Sequence, residues 1–312
     1  MENSEKTLNK RFTVEITKAV PNTTDLFRTY TFVCGNYQRN SFDKVYNGAV
    51  RITEACGIYR DNCEISIYGL RPEQLEELSF LVWNPTKEVD FRNTVRVFVD
   101  GVLIYAGNTY KVISDFTNAP NICLRIVGVV GTYISCLMAE ENKDVTGLTI
   151  KEAFTALGNL AGFKTVVSSK ISGNCPRIIL QGSVRDQIIQ LAKDLNLNFS
   201  LSCNYLRVAP FNEVLGFSES DTSGDLINAK NVPEISNKNG LVGYPSFSEV
   251  GVNFKTIFAP TLKTGHLVDL YSIVPKVTGR HLITSKTTTL STLPNGQWSA
   301  DYTTMFIKSL EG

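Results

Sequence analysis

Chemistry near neutral pH would turn first to His266 and His281, the only two imidazoles in a chain of 312 residues. A hydrolytic triad sets such a histidine beside a nucleophile and a carboxylate, yet the chain holds no Gly-x-Ser-x-Gly elbow to carry the nucleophile. His266 follows Gly265 at the start of a strand-like run and His281 lies between Arg280 and Leu282 in another, so both read as surface or rim residues of a β structure. Catalytic zinc takes two or three histidines, and no His-Glu-x-x-His occurs. Gly128-Val129-Val130-Gly131 has neither the spacing of a phosphate loop nor a Lys-Ser/Thr after it. The adjacent carboxylates Glu76-Glu77 and Glu140-Glu141 supply the residue type a glycosidase needs. Both sit in polar segments that read as solvated surface. The expectation is no catalytic residue, no cofactor and no metal: the chain is not an enzyme.

Composition narrows the class further. With 43% hydrophobic residues the chain can bury more than one core. A net charge of +1 without blocks of like charge argues against a broad basic surface for nucleic acid. No apolar run approaches the roughly 20 residues that span a bilayer, so no membrane anchor is expected. Met1 to Lys10 is polar and lacks the apolar stretch of a signal peptide, which implies folding in the cytoplasm. The seven cysteines (34, 56, 63, 123, 136, 175 and 203) form no Cys-x-x-Cys pair. They read as buried, reduced thiols acting as small hydrophobes. Cys56 and Cys63 flank a turn-like segment, but nothing in the spacing requires a bond between them.

The elements around these residues fall into three regions. Strands are expected over 11–20, 27–34, 45–54, 63–68, 109–114 and 122–130, with a turn at Asn47-Gly48 and a short helix over 71–80 opened by Pro72. The clearest hairpin is Val95 to Tyr105, turned by Asp100-Gly101, a dipeptide that accepts positive φ. Glu140 to Asp144 is a charged break, and an internal repeat follows it. Thr149-Ile150-Lys151-Glu152-Ala153-Phe154 matches Ser183-Val184-Arg185-Asp186-Gln187-Ile188 in residue type. Each copy has a hydroxyl N-cap with a carboxylate three residues on, the arrangement of a capping box, followed by apolar residues at helical spacing. Strand-like pieces over 163–168 and 198–202 complete two helix–strand units. After a linker-like stretch over 218–239, rich in Ser, Asn, Asp and Gly, strands resume and run to the turn at Leu293 to Gly296. The fold class is α+β, mainly β, with a first β domain over 8–138, an α/β insert over 145–212 and a second β domain over 226–312.

Gly240-Leu241-Val242-Gly243-Tyr244-Pro245 opens that last region, with Gly251, Pro260, Gly265 and Trp298 spaced along the strands after it. Such spacing marks the corners of a compact β-barrel rather than a pocket. Gly243-Tyr244-Pro245 reads as a turn, since Pro245 fixes its own φ and pushes Tyr244 toward extended geometry. Gly240, Gly243, Tyr244, Pro245 and Trp298 are the candidate interface or barrel-corner residues. Tyr244 and Trp298 suit either an interface anchor or barrel core.

Three segments together carry a resemblance. They are VFVDGVLIYAGNTYKVISDFTNAPNICLRIVG, the two helix–strand units of the insert, and GLVGYPSFSEVGVNFKTIFAPTLKTGHLVDLYS followed through to Gly296-Gln297-Trp298. In this order the chain resembles the baseplate hub of Mu-like and related contractile phages, the late control protein D-like family, whose fold recurs in the base of type VI secretion spikes. The resemblance covers roughly residues 10 to 310. It implies two tube-protein-like β-barrel domains flanking the insert, and a homotrimer whose six barrels match the sixfold tail tube above and the threefold spike below. The implied partners are the spike, the tail tube and neighbouring baseplate proteins, in a virion tail assembled in the host cytoplasm, with DNA only as cargo in the lumen. The insert's element order is faintly like a LysM module, which gives an alternative reading as a peptidoglycan-binding part of an injection machine.

Overall fold

The computed structural model describes residues 10–19, 26–35, 45–56, 60–81, 93–131, 143–202, 205–210, 232–249, 251–260 and 262–309. The first β region holds β1 (Arg11–Ala19), β2 (Phe27–Gly35), β3 (Asn47–Ala55), β4 (Asn62–Tyr68), the short helix α1 (Pro72–Leu78), β5 (Phe80–Leu81), β6 (Thr94–Val99), β7 (Val102–Asp115) and β8 (Cys123–Val129). The insert holds β9 (Lys143–Asp144), α2 (Ile150–Leu160), β10 (Lys164–Val167), β11 (Ile179–Leu180), α3 (Val184–Asp194), β12 (Leu197–Ser202) and β13 (Tyr205–Pro210). The second β region holds β14 (Glu234–Ile235), β15 (Leu241–Phe247), β16 (Val252–Ile257), β17 (Leu267–Leu270), β18 (Gly279–Ser291) and β19 (Trp298–Ser309).

Period-two burial makes the strands of the first region. Phe12, Val14 and Ile16 of β1 and Cys63, Ile65 and Ile67 of β4 point into one core while their neighbours face outward. The Asp100-Gly101 turn has both residues at positive φ, as the right-handed twist of a two-residue hairpin requires. Two local readings are corrected. Strand β7 is one 14-residue strand rather than two, because a register shift between Thr109 and Lys111 lets it bend without ending. Asn47-Gly48 is no turn but the start of β3. A Cβ on Gly48 would lie 2.8 Å from both Cys34 Sγ and Phe12 Cζ, so glycine is there for close packing.

The insert follows its sequence pattern. Thr149 Oγ1 accepts from the Glu152 N–H while Glu152 Oε2 accepts from the Thr149 N–H, and Ser183 and Asp186 repeat the exchange at α3. The sheet of the insert has the order β10-β13-β12, with β10 parallel to β13. Gly158 lets α2 approach it, since a Cβ there would strike Thr165 Oγ1. Lys143 and Asp144, read as part of a charged break, pair as β9 with β11. Glu140 to Asn142 lie outside the described residues, as do Cys136, Cys203 and most of the linker-like stretch.

The two β regions join into one 14-stranded sheet, with the path β15-β16-β19-β18-β3-β4-β8-β7-β6-β1-β2 and with β5, β14 and β17 attached beside it. Strand β18 is the hinge of this arrangement. Its residues 285–291 pair with β3, while 267–270 of β17 pair with its other end, 279–282. At the far end of the path, Tyr46 exchanges main-chain hydrogen bonds with Val33 and Gly35 and brings the end of β2 beside the start of β3. That contact is a single bridge, and no closed ring of paired strands is present among the described residues. One apolar core fills the first region and the insert, and a second, around Phe254, Val268, Ile283 and Tyr302, fills the second region.

Candidate assembly interface

Strand β15 lies at one end of the sheet path, and among the described residues β16 is the only strand it pairs with. Gly240 and Gly243 both have positive φ, the first ending the turn before the strand and the second inside it. Gly243-Tyr244-Pro245 is therefore a bulge within an edge strand rather than a turn between strands: the register shifts between Val242 and Ser246. The extra residues swing Tyr244 outward to 70% exposure while Pro245 turns in and is buried. Proline is tolerated there because an edge strand has no second neighbour asking for its N–H. Val242 and Phe247 are exposed on the same strand, so the edge carries three apolar side chains in seven residues.

Trp298 goes elsewhere. Its ring lies 6.3 Å from Phe12 of β1 and 6.3 Å from Phe258, which binds the β18–β19 hairpin to the core of the first region. Of the five candidate residues, the structure gathers Gly240, Gly243, Tyr244 and Pro245 along one edge and sets Trp298 at an internal seam. Beside that seam stands a pair that composition did not reveal. Lys286 of β18 and Glu54 of β3 are register partners, with Nζ to Oε2 at 3.2 Å and side chains only 4% and 8% exposed. The ammonium also lies 5.9 Å from the Phe258 ring centre. A second unforeseen feature is the overhang of β19. Its pairing with β16 stops at Thr304, and Met305, Phe306 and Ile307 beyond it are all exposed.

The residues first weighed for chemistry are not brought together. His281 is fully buried, correcting its reading as a surface or rim residue. Its Nε2 lies 2.9 Å from the Val277 carbonyl oxygen and its Nδ1 3.2 Å from Thr304 Oγ1, and burial lowers its pKa. Glu77 accepts a hydrogen bond from Tyr30 and pairs with Arg28 on the surface. The described cysteines 34, 56, 63, 123 and 175 are free thiols, and burial pushes those of Cys34 and Cys56 up to about 12. No group of three or more His, Cys, Asp or Glu is placed to hold a metal among the described residues.

Solved structures of phage tail proteins share the fold of this chain over most of its length. The 43 kDa tail protein of prophage MuSo2 from Shewanella oneidensis shares it with a TM-score of 0.59 and 10% identity, over 94% of this chain and 98% of that one. A tail protein from Neisseria meningitidis MC58 gives 0.57 at 11% identity, over 83% and 95%. The E. coli c3393 protein, a component of the type VI secretion system with structural similarity to the T4 tail proteins gp27 and gp5, gives 0.55 at 10%, over 86% and 76%. A search of curated protein sequences gives no match. Within the chain, residues 221–291 match the model of the family described as Baseplate hub gp41. The baseplate-hub resemblance carried by the sequence is borne out by that match and by the shared fold.

Proposed function

We propose that the protein is a structural baseplate hub of a contractile phage tail or tailocin, a homotrimeric adapter that joins the sixfold tail tube to the threefold central spike. The observation that carries this reading is the family match to residues 221–291 in a chain whose fold, over nearly its whole length, is that of a phage tail protein. Residues 8–138 and 226–312 act as two tube-like domains, so three chains present six, and 145–212 is the insert between them. The apolar edge at β15 and the outer end of β2, with Leu26 and Phe27 exposed, face neighbouring chains in the ring. The interface is then large, partly apolar and permanent. The spike, the tail tube and adjoining baseplate proteins are the partners, and DNA passes only as cargo.

Light scattering of the purified chain, alone and mixed with its cognate spike protein, tests this. A trimer that binds a spike trimer is the expected result. A monomer that ignores the spike in the presence of tube protein, yet pellets with cell-wall sacculi, would replace the hub reading with the glycan-binding one.

A further inference from the structure

Asparagine followed by glycine occurs three times in the chain, at Asn47-Gly48, Asn239-Gly240 and Asn295-Gly296. Such a pair can react with itself, because glycine has no Cβ to shield its main-chain nitrogen from the side-chain carbon of the asparagine before it. The nitrogen attacks only after losing its proton, and a hydrogen bond through that N–H holds both the proton and the direction of the nitrogen. All three asparagines are exposed, so exposure does not separate them. Hydrogen bonding does. The Gly48 N–H donates to Thr292 Oγ1 at 2.8 Å, and Gly48 is buried against Cys34 and Phe12. The Gly296 N–H donates to the Leu293 carbonyl oxygen at 2.9 Å, and Lys10 Nζ donates to the Gly296 carbonyl oxygen at 2.8 Å. In the turn before β15, the N–H groups of Asn239 and Leu241 both donate to the Ser236 carbonyl oxygen, at 2.9 and 3.0 Å. The Gly240 N–H between them donates to no described residue.

We infer that Asn239 is a site of self-modification, deamidated in the folded chain through the Gly240 nitrogen, and that the fold shields Asn47 and Asn295 from the same reaction. The Gly240 nitrogen gives its proton to hydroxide and attacks Asn239 Cγ. The bond from Cγ to the side-chain nitrogen breaks, ammonia leaves, and a succinimide ring remains. Water adds to one carbonyl of that ring and opens it to aspartate or isoaspartate. Water enters and ammonia leaves, and nothing is oxidised or reduced. The product changes the entry to β15 in a definite way. A carboxylate, ionised at neutral pH, replaces a neutral amide in the turn that leads into the exposed apolar edge of Val242, Tyr244 and Phe247. Isoaspartate also adds a methylene to the main chain beside Gly240, whose carbonyl oxygen accepts from the Ile257 N–H at 3.0 Å. Conversion therefore unfastens the first bonds of the β15–β16 pair, those of Leu241 and Ile257. The reaction needs no second chain, so it stands apart from the hub reading.

The test holds the full chain, native and urea-unfolded, in mildly alkaline buffer until the unfolded sample has converted at all three pairs. Digestion at mildly acidic pH and peptide mapping by mass spectrometry then read each asparagine, with the aspartate and isoaspartate forms separated by chromatography. In urea the three should convert at similar rates. In the native chain Asn239 should convert at least about tenfold faster than Asn47 or Asn295, the factor that one ordinary hydrogen bond imposes. An Asn239 that stays an amide in the native chain, or an Asn47 or Asn295 that keeps pace with it, overturns the assignment. An Asn239→Gln chain should gain almost no acidic species over the same time, and a variant that acidifies as fast as the wild type also overturns it. In the converted native chain the Leu241 and Ile257 amides should exchange faster than before. Unchanged protection there refutes the loosening of β15.

Discussion

Replacing Trp298 by alanine separates two roles that its residue type allows. The ring is half-buried between Phe12 and Phe258 at 6.3 Å from each. A fully buried Trp truncated to Ala costs about 3–5 kcal/mol, and a half-buried one about half of that. The pairwise ring contacts add a further ~0.5–1.5 kcal/mol. We expect a loss of about 2–4 kcal/mol in the isolated chain. For a chain of this size that lowers Tm by roughly 4–8 °C. Urea unfolding followed by circular dichroism measures it, with the slope against urea unchanged. If Trp298 were an interface anchor, the isolated chain would lose less than about 0.5 kcal/mol, as surface substitutions do, and only assembly would suffer. That result would refute the placement of the ring inside the seam.

Four further expectations rest on single observations. Lys286→Met should cost about 3–5 kcal/mol because it strands a buried Glu54, whereas Lys286→Met with Glu54→Leu should recover most of that loss in a double-mutant cycle. Ser183→Ala removes the acceptor for the Asp186 N–H and should cost about 1 kcal/mol in urea unfolding. The Cys34 thiol, pushed up to about 12 from 9.0 by burial, should alkylate about a thousandfold more slowly than an unperturbed thiol at equal pH, one decade per unit. His281, whose value burial lowers, stabilises the fold fully above the ordinary histidine range, and that contribution should be lost on acidification toward its depressed folded value. Titrating the unfolding free energy of the wild type against His281→Gln reads this directly.

Much of the local structure was legible in the sequence because its causes are local. Asp100-Gly101 makes its hairpin and the Thr149 and Ser183 caps start their helices through contacts within a few residues. Alternating apolar residues made the strands, whereas Gly243-Tyr244-Pro245 read as a turn and proved to be a bulge inside an edge strand. The resemblance to baseplate hubs was also carried by the order of these pieces. Other features needed partners far along the chain. Gly48 looked like a turn because its reason, Cys34 and Phe12 pressing on it, lies in other strands. His281 looked like a rim residue until Phe306 and Thr304 enclosed it.

Local pattern thus determined which segments are strands and helices, where the helices begin, and that the chain is β, then α/β, then β. Tertiary structure alone decided that β18 pairs with β3, which fuses two β regions into one sheet and sets Lys286 opposite Glu54. Strand pairing is set by main-chain hydrogen bonds that every residue can make, so a sequence names its strands more readily than their neighbours. The buried Lys286–Glu54 pair at the seam exists only once that pairing is fixed.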